Sequence, residues 1–189
     1  MPPLKRFQRE EIIDTAYEIV KEEGLSSLNA RSLAKKLGGS VQLIYHNFTD
    51  MNELIEEVKE KIHNKYKENL EQATDEKHPY LAKGMAYVKF AKDYPEFYKI
   101  LFMQKSNMNL DEFFEVDKNT NENVMNSITT IFNLSEDKLK DFHTKVWIFT
   151  HGLACLTATK TVELSDKEIR KFLIETVNEL FKGYNSWLK

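Results

Sequence analysis

The chain has 189 residues, 41% of them hydrophobic, with only 6 Gly and 4 Pro, which excludes a disordered protein and leaves room for one substantial core or a small domain joined to a larger one. A net charge of −3 excludes indiscriminate nucleic-acid binding, although its distribution is uneven: seven basic against six acidic residues over 1–48, and 20 against 24 beyond. The single cysteine, Cys155, rules out an internal disulfide and, with no apolar signal-peptide core in MPPLKRFQREE and no long uncharged apolar run, predicts a soluble cytoplasmic protein without a membrane span.

The first predicted helix runs from about Gln8 to Glu23, with Ile12, Ile13, Ala16, Ile19 and Val20 on one stripe and Gly24 as its stop. Lys5, Arg6 and Arg9 precede or open it, while Glu18, Glu22 and Glu23 lie toward its far end. That placement makes a basic arm able to touch phosphates, with a frayed, solvated tail as the rival reading for Lys5 and Arg6.

Ala30 to Phe48, ARSLAKKLGGSVQLIYHNF, reads as two short helices at an angle. Ala30, Leu33, Ala34 and Leu37 form the inward stripe of the first, with Arg31, Lys35 and Lys36 facing out. Gly38 and Gly39 supply the permissive turn, and Ser40 is placed to cap a second helix over Val41–Asn47. Ile44 and Phe48, four apart, are expected to point inward, leaving Val41, Gln42, Leu43, Tyr45 and His46 wholly or partly outside. Such an uncharged surface suits the major groove: a Gln amide pairs with adenine N6 and N7, aliphatic tips meet thymine methyls, and Tyr or His bonds phosphate oxygens. A helical hairpin packed on another element explains the pattern equally well from these residues alone.

Resemblance favours the first reading. From Arg9 to Leu54 the chain resembles the N-terminal domain of the TetR family of transcriptional repressors: a helix ending at Gly24, Leu28 with Asn29, then Arg31, Leu33, Ala34, Lys36, Leu37 and Gly38, then Ile44, Tyr45 and Phe48, and finally Glu53 and Leu54. Three positions depart from the family pattern. Gly39 stands where a valine is usual, Gln42 where a small residue or proline is usual, and Met51 where a lysine commonly bonds a phosphate.

Thr49 or Asp50 is positioned to cap a long helix from Met51 to about Gln72, with Leu54, Ile55, Val58, Ile62, Tyr66 and Leu70 on its stripe and the charges Glu56, Glu57, Lys59, Glu60 and Lys61 as a solvated face. A polar connector at Ala73–Lys77 leads to a helix from Pro79 to about Asp93, and Pro95 starts another, Glu96 to about Lys105. Ser106–Thr120 reads as a loop with a short helix, and Val124, Ile128, Ile131 and Phe132 as a further helix. Ser135 is expected to cap a helix over about 136–160, with Glu136 and Asp137 favourably placed in its first turn and Leu139, Phe142, Val146, Phe149, Leu153 and Leu156 on its stripe. Ser165 and Glu168 form a capping box for the last helix, about 166–187, whose stripe of Ile169, Phe172, Leu173, Val177, Leu180, Phe181, Tyr184, Trp187 and Leu188 is wider than one packing partner needs. These two helices meeting their copies make an intermolecular four-helix bundle; packing wholly within one chain is the alternative.

The run YVKFAKDYPEFYKILF, with Trp147, His151, Gly152 and Leu153, is similar to the effector domain of a branch of the same family named for its Trp, His and Gly. His143, Trp147, His151 and Cys155 recur every four residues and share one helix face. They read as core, or as a pocket in which Trp147 is a wall and His151 a polar handle. A metal site on His151 and Cys155 needs further ligands, and five His and one Cys in the whole chain make the supply thin. No phosphate loop, nucleophile elbow, zinc-ligand helix or carboxylate pair points to an enzyme, so no catalytic, metal or cofactor site is expected.

The resemblance thus implies an all-helical protein of about nine helices: a helix-turn-helix domain at 1–50 joined by a long helix to an effector-binding and dimerisation domain at 51–189. It implies a homodimer through the last two helices, a double-stranded DNA operator and a small apolar or amphipathic effector. Gln42 is expected to read bases, with Val41 and Leu43 on thymine methyls, Arg31 on a base or phosphate, and Asn29, Ser40, Tyr45 and His46 on the backbone. Tyr87, Phe90, Phe102, Trp147 and His151 are the expected effector contacts. A helical protein-interaction module and a metal- or thiol-responsive sensor are the alternatives.

Overall fold

The computed structural model describes residues 7–75, 77–112, 114–115 and 135–186, the last three without their side chains. Lys5 and Arg6, the helix expected at Val124–Phe132, and the closing Trp187 and Leu188 lie outside the described residues, as does the side chain of Tyr184. The described residues hold eight α-helices, one 3-10 turn and no strand, the all-helical class expected. Compactness groups residues 1–68 with 94–104, and residues 69–93 with 105–189, a grouping that cuts the chain differently from the functional division at 50 and 51.

In the first unit, helix α1 (Arg9–Glu23) buries all five residues of its stripe, Ile12, Ile13, Ala16, Ile19 and Val20. Gly24 ends it at φ 81°, a backbone conformation that favours glycine, and the end of the Glu96 side chain lies against it. A 3-10 turn at Leu25–Ser27 leads to α2 (Ala30–Leu37), α3 (Val41–Tyr45) and α4 (Met51–Glu71). Leu33, Ile44, Leu54, Val58 and Ile62 are wholly buried, each worth roughly 1.5–3 kcal/mol of burial. They join the helices into one core that a three-helix unit could not supply alone.

Helix α6 (Pro95–Phe102) completes this unit. Phe97 packs on Tyr17 at 4.7 Å and stacks on Tyr94 at 5.7 Å, and Phe102 meets Tyr66 edge-on at 5.0 Å. It stops at Phe102, earlier than the expected Lys105; further on, Ser106 Oγ accepts from Met108 N, and Asn109 Oδ1 from Asp111 N and Glu112 N. Helical residues at 110–112 and 114–115 follow.

In the second unit, α5 (Pro79–Asp93), α7 (Glu136–Ala158) and α8 (Asp166–Ser186) pack together around Phe90, Phe142, Leu153, Ile169 and Leu173. Phe114, Leu139, Phe142 and Val146 form a cluster flanked by Tyr80, Val177, Leu180 and Phe181. Gly84 admits the Leu173 side chain so closely that a β-carbon would sit 3.3 Å from it. The Ser165–Glu168 capping box is present, Ser165 N donating to Glu168 Oε2 at 2.8 Å and Glu168 N to Ser165 Oγ at 3.3 Å. Ser135 differs from expectation: its extended backbone starts α7, but its hydroxyl makes no cap bond.

Candidate nucleic-acid interface

Asn29 opens α2: its Oδ1 accepts from Arg31 N at 3.1 Å and Ser32 N at 3.0 Å, and its Nδ2 donates to Ser27 O at 3.3 Å. Its side chain is therefore occupied with fixing the turn from which the exposed Arg31 projects. Lys36 is held by Glu22 at 2.8 Å, which lowers the Glu22 carboxylate from its ordinary value. Gly38 then turns the chain in the left-handed conformation, φ 68° and ψ 34°, its amide bonding back to Ala34 and Lys35 carbonyls.

Gly39 has no positive φ; space requires it. A β-carbon there would lie 2.9 Å from Phe7 Cε2 and 3.0 Å from Leu43 Cδ1. Ser40 corrects a sequence expectation, since it starts α3 with extended backbone and its carbonyl accepts from Leu43 N, while its hydroxyl caps nothing and stays exposed.

Helix α3 ends at Tyr45, two residues before the expected Asn47. Ile44 and Phe48 are 0% and 2% exposed, as the four-residue spacing predicts. On the other side Gln42, Tyr45 and His46 are exposed, and Val41 and Leu43 are half-buried. The result is an uncharged, outward-facing turn and a half of helix, seated on a rigid floor.

Arg9 belongs to that floor. Expected in a basic arm, it instead donates to the Asn47 carbonyl, to Glu53 Oε1 at 2.7 Å and to Glu57 Oε1, with its guanidinium 4.0 Å from the centre of the Phe48 ring. Three of its five N–H donors are engaged, by the turn after α3 and by two carboxylates of α4. Glu53 returns the bond through its other oxygen, which accepts from Thr49 N at 2.6 Å, and Asp50 Oδ1 accepts from Asn52 N and Glu53 N. Asp50, of the two candidates, is thus the cap of α4. The charges on α4 are not all a solvated face: Glu57 serves Arg9, and Lys61 reaches Asp14 and Glu10 on α1. Sequence reasoning missed Phe7, Glu57 and the role of Arg9; the i, i+4 pair Glu53 and Glu57 opposite a lone arginine was the available signal.

Of the expected effector contacts, Tyr87, Phe90, Trp147 and His151 come together in the second unit, whereas Phe102 belongs to the first. The Tyr87 hydroxyl and His151 Nδ1 share a hydrogen bond at 2.9 Å, Trp147 stacks on the His151 ring at 4.7 Å and 15°, and Cys155 Sγ lies 3.4 Å from His151 Nε2. Burial pushes the His151 imidazole below its ordinary value, so it is uncharged at neutral pH. Phe90 is fully buried packing. A second Tyr–His pair, Tyr80 with the buried His143 at 3.1 Å, repeats the arrangement about two helical turns away along α5 and α7. Among the described residues no group of three or more metal-ligating side chains is assembled, and no helix is long and apolar enough to cross a membrane.

A short uncharged helix presented at the second arm of a tight helix-glycine-helix turn, with a second helical unit following in sequence, is a helix-turn-helix arrangement. The profile of the tetR family of bacterial regulatory proteins matches residues 12–58, a span that contains Asn29, Arg31 and the α3 residues. That likeness to the tetR family covers 47 of the 189 residues. Among curated proteins no relative matches in sequence. The fold is shared with solved structures. A protein with unknown function from Rhodococcus sp. RHA1 superposes with a TM-score of 0.70 at 16% identity, over 97% of this chain and 98% of that one. A TetR-like transcriptional regulator from the same source gives 0.63 at 14%, over 92% and 96%. A TetR-family transcriptional regulator from Haemophilus influenzae gives 0.56 at 17%, over 92% and 94%. The family match ends at residue 58 and does not bear on the Trp-His-Gly reading of the later helices.

Proposed function

We propose that this protein is a repressor that binds a palindromic operator as a homodimer and is released by a small apolar or amphipathic effector. Residues 1–50 read the DNA, and residues 51–189 bind the effector and pair the subunits. The observation that supports this reading is the exposed, uncharged face of Val41, Gln42, Leu43, Tyr45 and His46 above the buried Ile44 and Phe48. Each subunit places α3 in the major groove, with Gln42 on a base, Val41 and Leu43 against thymine methyls, Arg31 on a base or phosphate, and Ser40, Tyr45 and His46 on the backbone; Asn29 acts by fixing the turn before Arg31. Two-fold pairing through α7 and α8 sets half-sites about 34–36 Å apart, or a small multiple.

The effector is held by Tyr87, Trp147 and His151. An imidazole kept neutral by burial favours an uncharged ligand carrying one hydrogen-bonding group over an anion. Release follows from differential affinity: a ligand that binds better when α4 is tilted draws the dimer toward a half-site spacing that no longer fits the groove, and each 1.4 kcal/mol of preference changes occupancy about tenfold.

Gln42→Ala and Tyr45→Ala test the interface. Both weaken binding to a duplex selected by the wild-type protein from a random pool, by about 1–3 kcal/mol for the base contact. Only Gln42→Ala relaxes base preference at one position of each half-site. Unchanged affinity in both variants would rule out α3 as the reading helix.

A further inference from the structure

Phe7 lies two residues before α1, yet its ring sits over the turn between α2 and α3. The point where a β-carbon of residue 39 would stand is 2.9 Å from Phe7 Cε2, 3.7 Å from Phe7 Cδ2 and 3.0 Å from Leu43 Cδ1, so the Phe7 ring and the Leu43 side chain converge on the space above Gly39. Gly38 and Gly39 therefore do different work. Gly38 is needed for its left-handed backbone and has nothing within 4 Å of an added β-carbon, whereas Gly39 has no such backbone demand and is needed for the room it leaves. A residue just before an N-cap ordinarily staples to its own helix. This one also reaches across to the start of α3, and Leu43 is one of the residues through which α3 faces outward, half-buried between the exposed Gln42 and Tyr45 side chains.

We infer that Phe7 is a positioning residue for DNA recognition: its ring takes the place of the side chain missing at Gly39 and buttresses Leu43, which fixes the rotation of α3 about its own axis. Helix α3 is only five residues long, with one fully buried residue, Ile44, to hold its inner side. A helix so short is free to roll about a single anchor, and a second apolar contact at its first turn removes that freedom. Rolling redirects Gln42 without unfolding the unit, so the loss falls on discrimination between sequences and not on attraction to phosphates. The inference rests on the reading of α3 as the DNA-contacting helix.

The test uses full-length Phe7→Ala, Gly39→Val, the double variant and Phe7→Leu, and reads the ratio of affinities for the selected duplex and a scrambled duplex of equal length. Phe7→Ala lowers that ratio about tenfold, the scale of one lost apolar contact. Gly39→Val lowers it similarly because its β-carbon collides with the ring. The double variant, in which valine fills the vacated space, recovers to within about threefold of wild type, and Phe7→Leu retains most of the ratio. A wild-type ratio in Phe7→Ala, or a double variant no better than the worse single one, overturns the inference while leaving the DNA reading intact. If Phe7→Ala loses its helical circular dichroism, the double variant decides: recovered folding and ratio support the inference, recovered folding without the ratio overturns it. A wild-type protein that selects no sequence from the pool overturns the DNA reading itself, and this inference with it.

Discussion

Glu53 divides its two oxygens between different elements, Oε2 on the Thr49 amide and Oε1 on Arg9, which in turn holds the Asn47 carbonyl just past α3. The Thr49 amide first, and then the guanidinium, hold the carboxylate below its ordinary value of about 4.5. A lowered folded-state value means the contribution to stability is complete above the ordinary value and disappears as pH falls through the lower one. Glu53→Gln is therefore expected to melt below wild type at neutral pH, with the gap closing as the pH drops beneath about 4.5. Parallel melts at about pH 7, 5 and 3 check this, and a gap that stays constant into acid would contradict it. Arg9→Met keeps an apolar stem over Phe48 while removing every bond of the fork; it lowers the same midpoint and lets the Glu53 value drift back toward the ordinary one. The arginine could not be assigned from sequence. Its neighbours Lys5 and Arg6 suggest a basic arm, and the carboxylates that claim it lie more than 40 residues away.

Two helix ends show the same conformation with opposite residue choices. Gly38 follows α2 at φ 68°, and Lys160 lies just beyond α7 at φ 55°, the one described non-glycine residue with positive φ. A left-handed backbone costs an ordinary L residue about 1–2 kcal/mol and glycine almost nothing. Gly38→Ala is thus expected to destabilise by about 1 kcal/mol, and Lys160→Gly to stabilise by up to about 1 kcal/mol, both read from urea unfolding midpoints. Elements of this kind were legible wherever one residue type dictates the backbone: Gly24 and Gly38 as stops, Pro79 and Pro95 as starts, and Ser165 with Glu168 as a box all stand where the spacing put them. The stripe of α1 and the pair Ile44 and Phe48 were legible for the same reason, since burial follows a local period. Ser40 and Ser135 were not, because a hydroxyl at a helix start bonds inward or turns to water according to a rotamer that sequence leaves open. Phe7 escaped notice because its partner is 32 positions away and is a glycine, which carries no pattern.

At the scale of the whole molecule, the described surface of the last two helices carries more apolar area than their packing within the second unit uses. Ile148 and Leu156 are 51% and 39% exposed on α7, with Gly152 between them at four-residue steps, and Phe172 and Ile174 are exposed on α8. Pairing of two copies through this surface is expected to be lost in Ile148→Glu combined with Leu156→Glu. Sedimentation at micromolar concentration should find wild type at twice the 22.2 kDa chain mass and the double variant near one chain mass. A double variant that still sediments as a pair would move the interface elsewhere.

The anchoring of α4 bears on how such a pair could respond to a ligand. Asp50 and Glu53 close its first turn, and Arg9 ties that turn to the Asn47 carbonyl just past α3. A rod of 21 residues spans about 30 Å, so a lean of about five degrees at one end shifts the other by on the order of 2.6 Å. Because its first turn is tied to the carbonyl after α3, the same lean would carry the five residues that follow Ser40 through a similar angle as the far end makes its shift. A shift of that size is comparable to the whole length of a hydrogen bond.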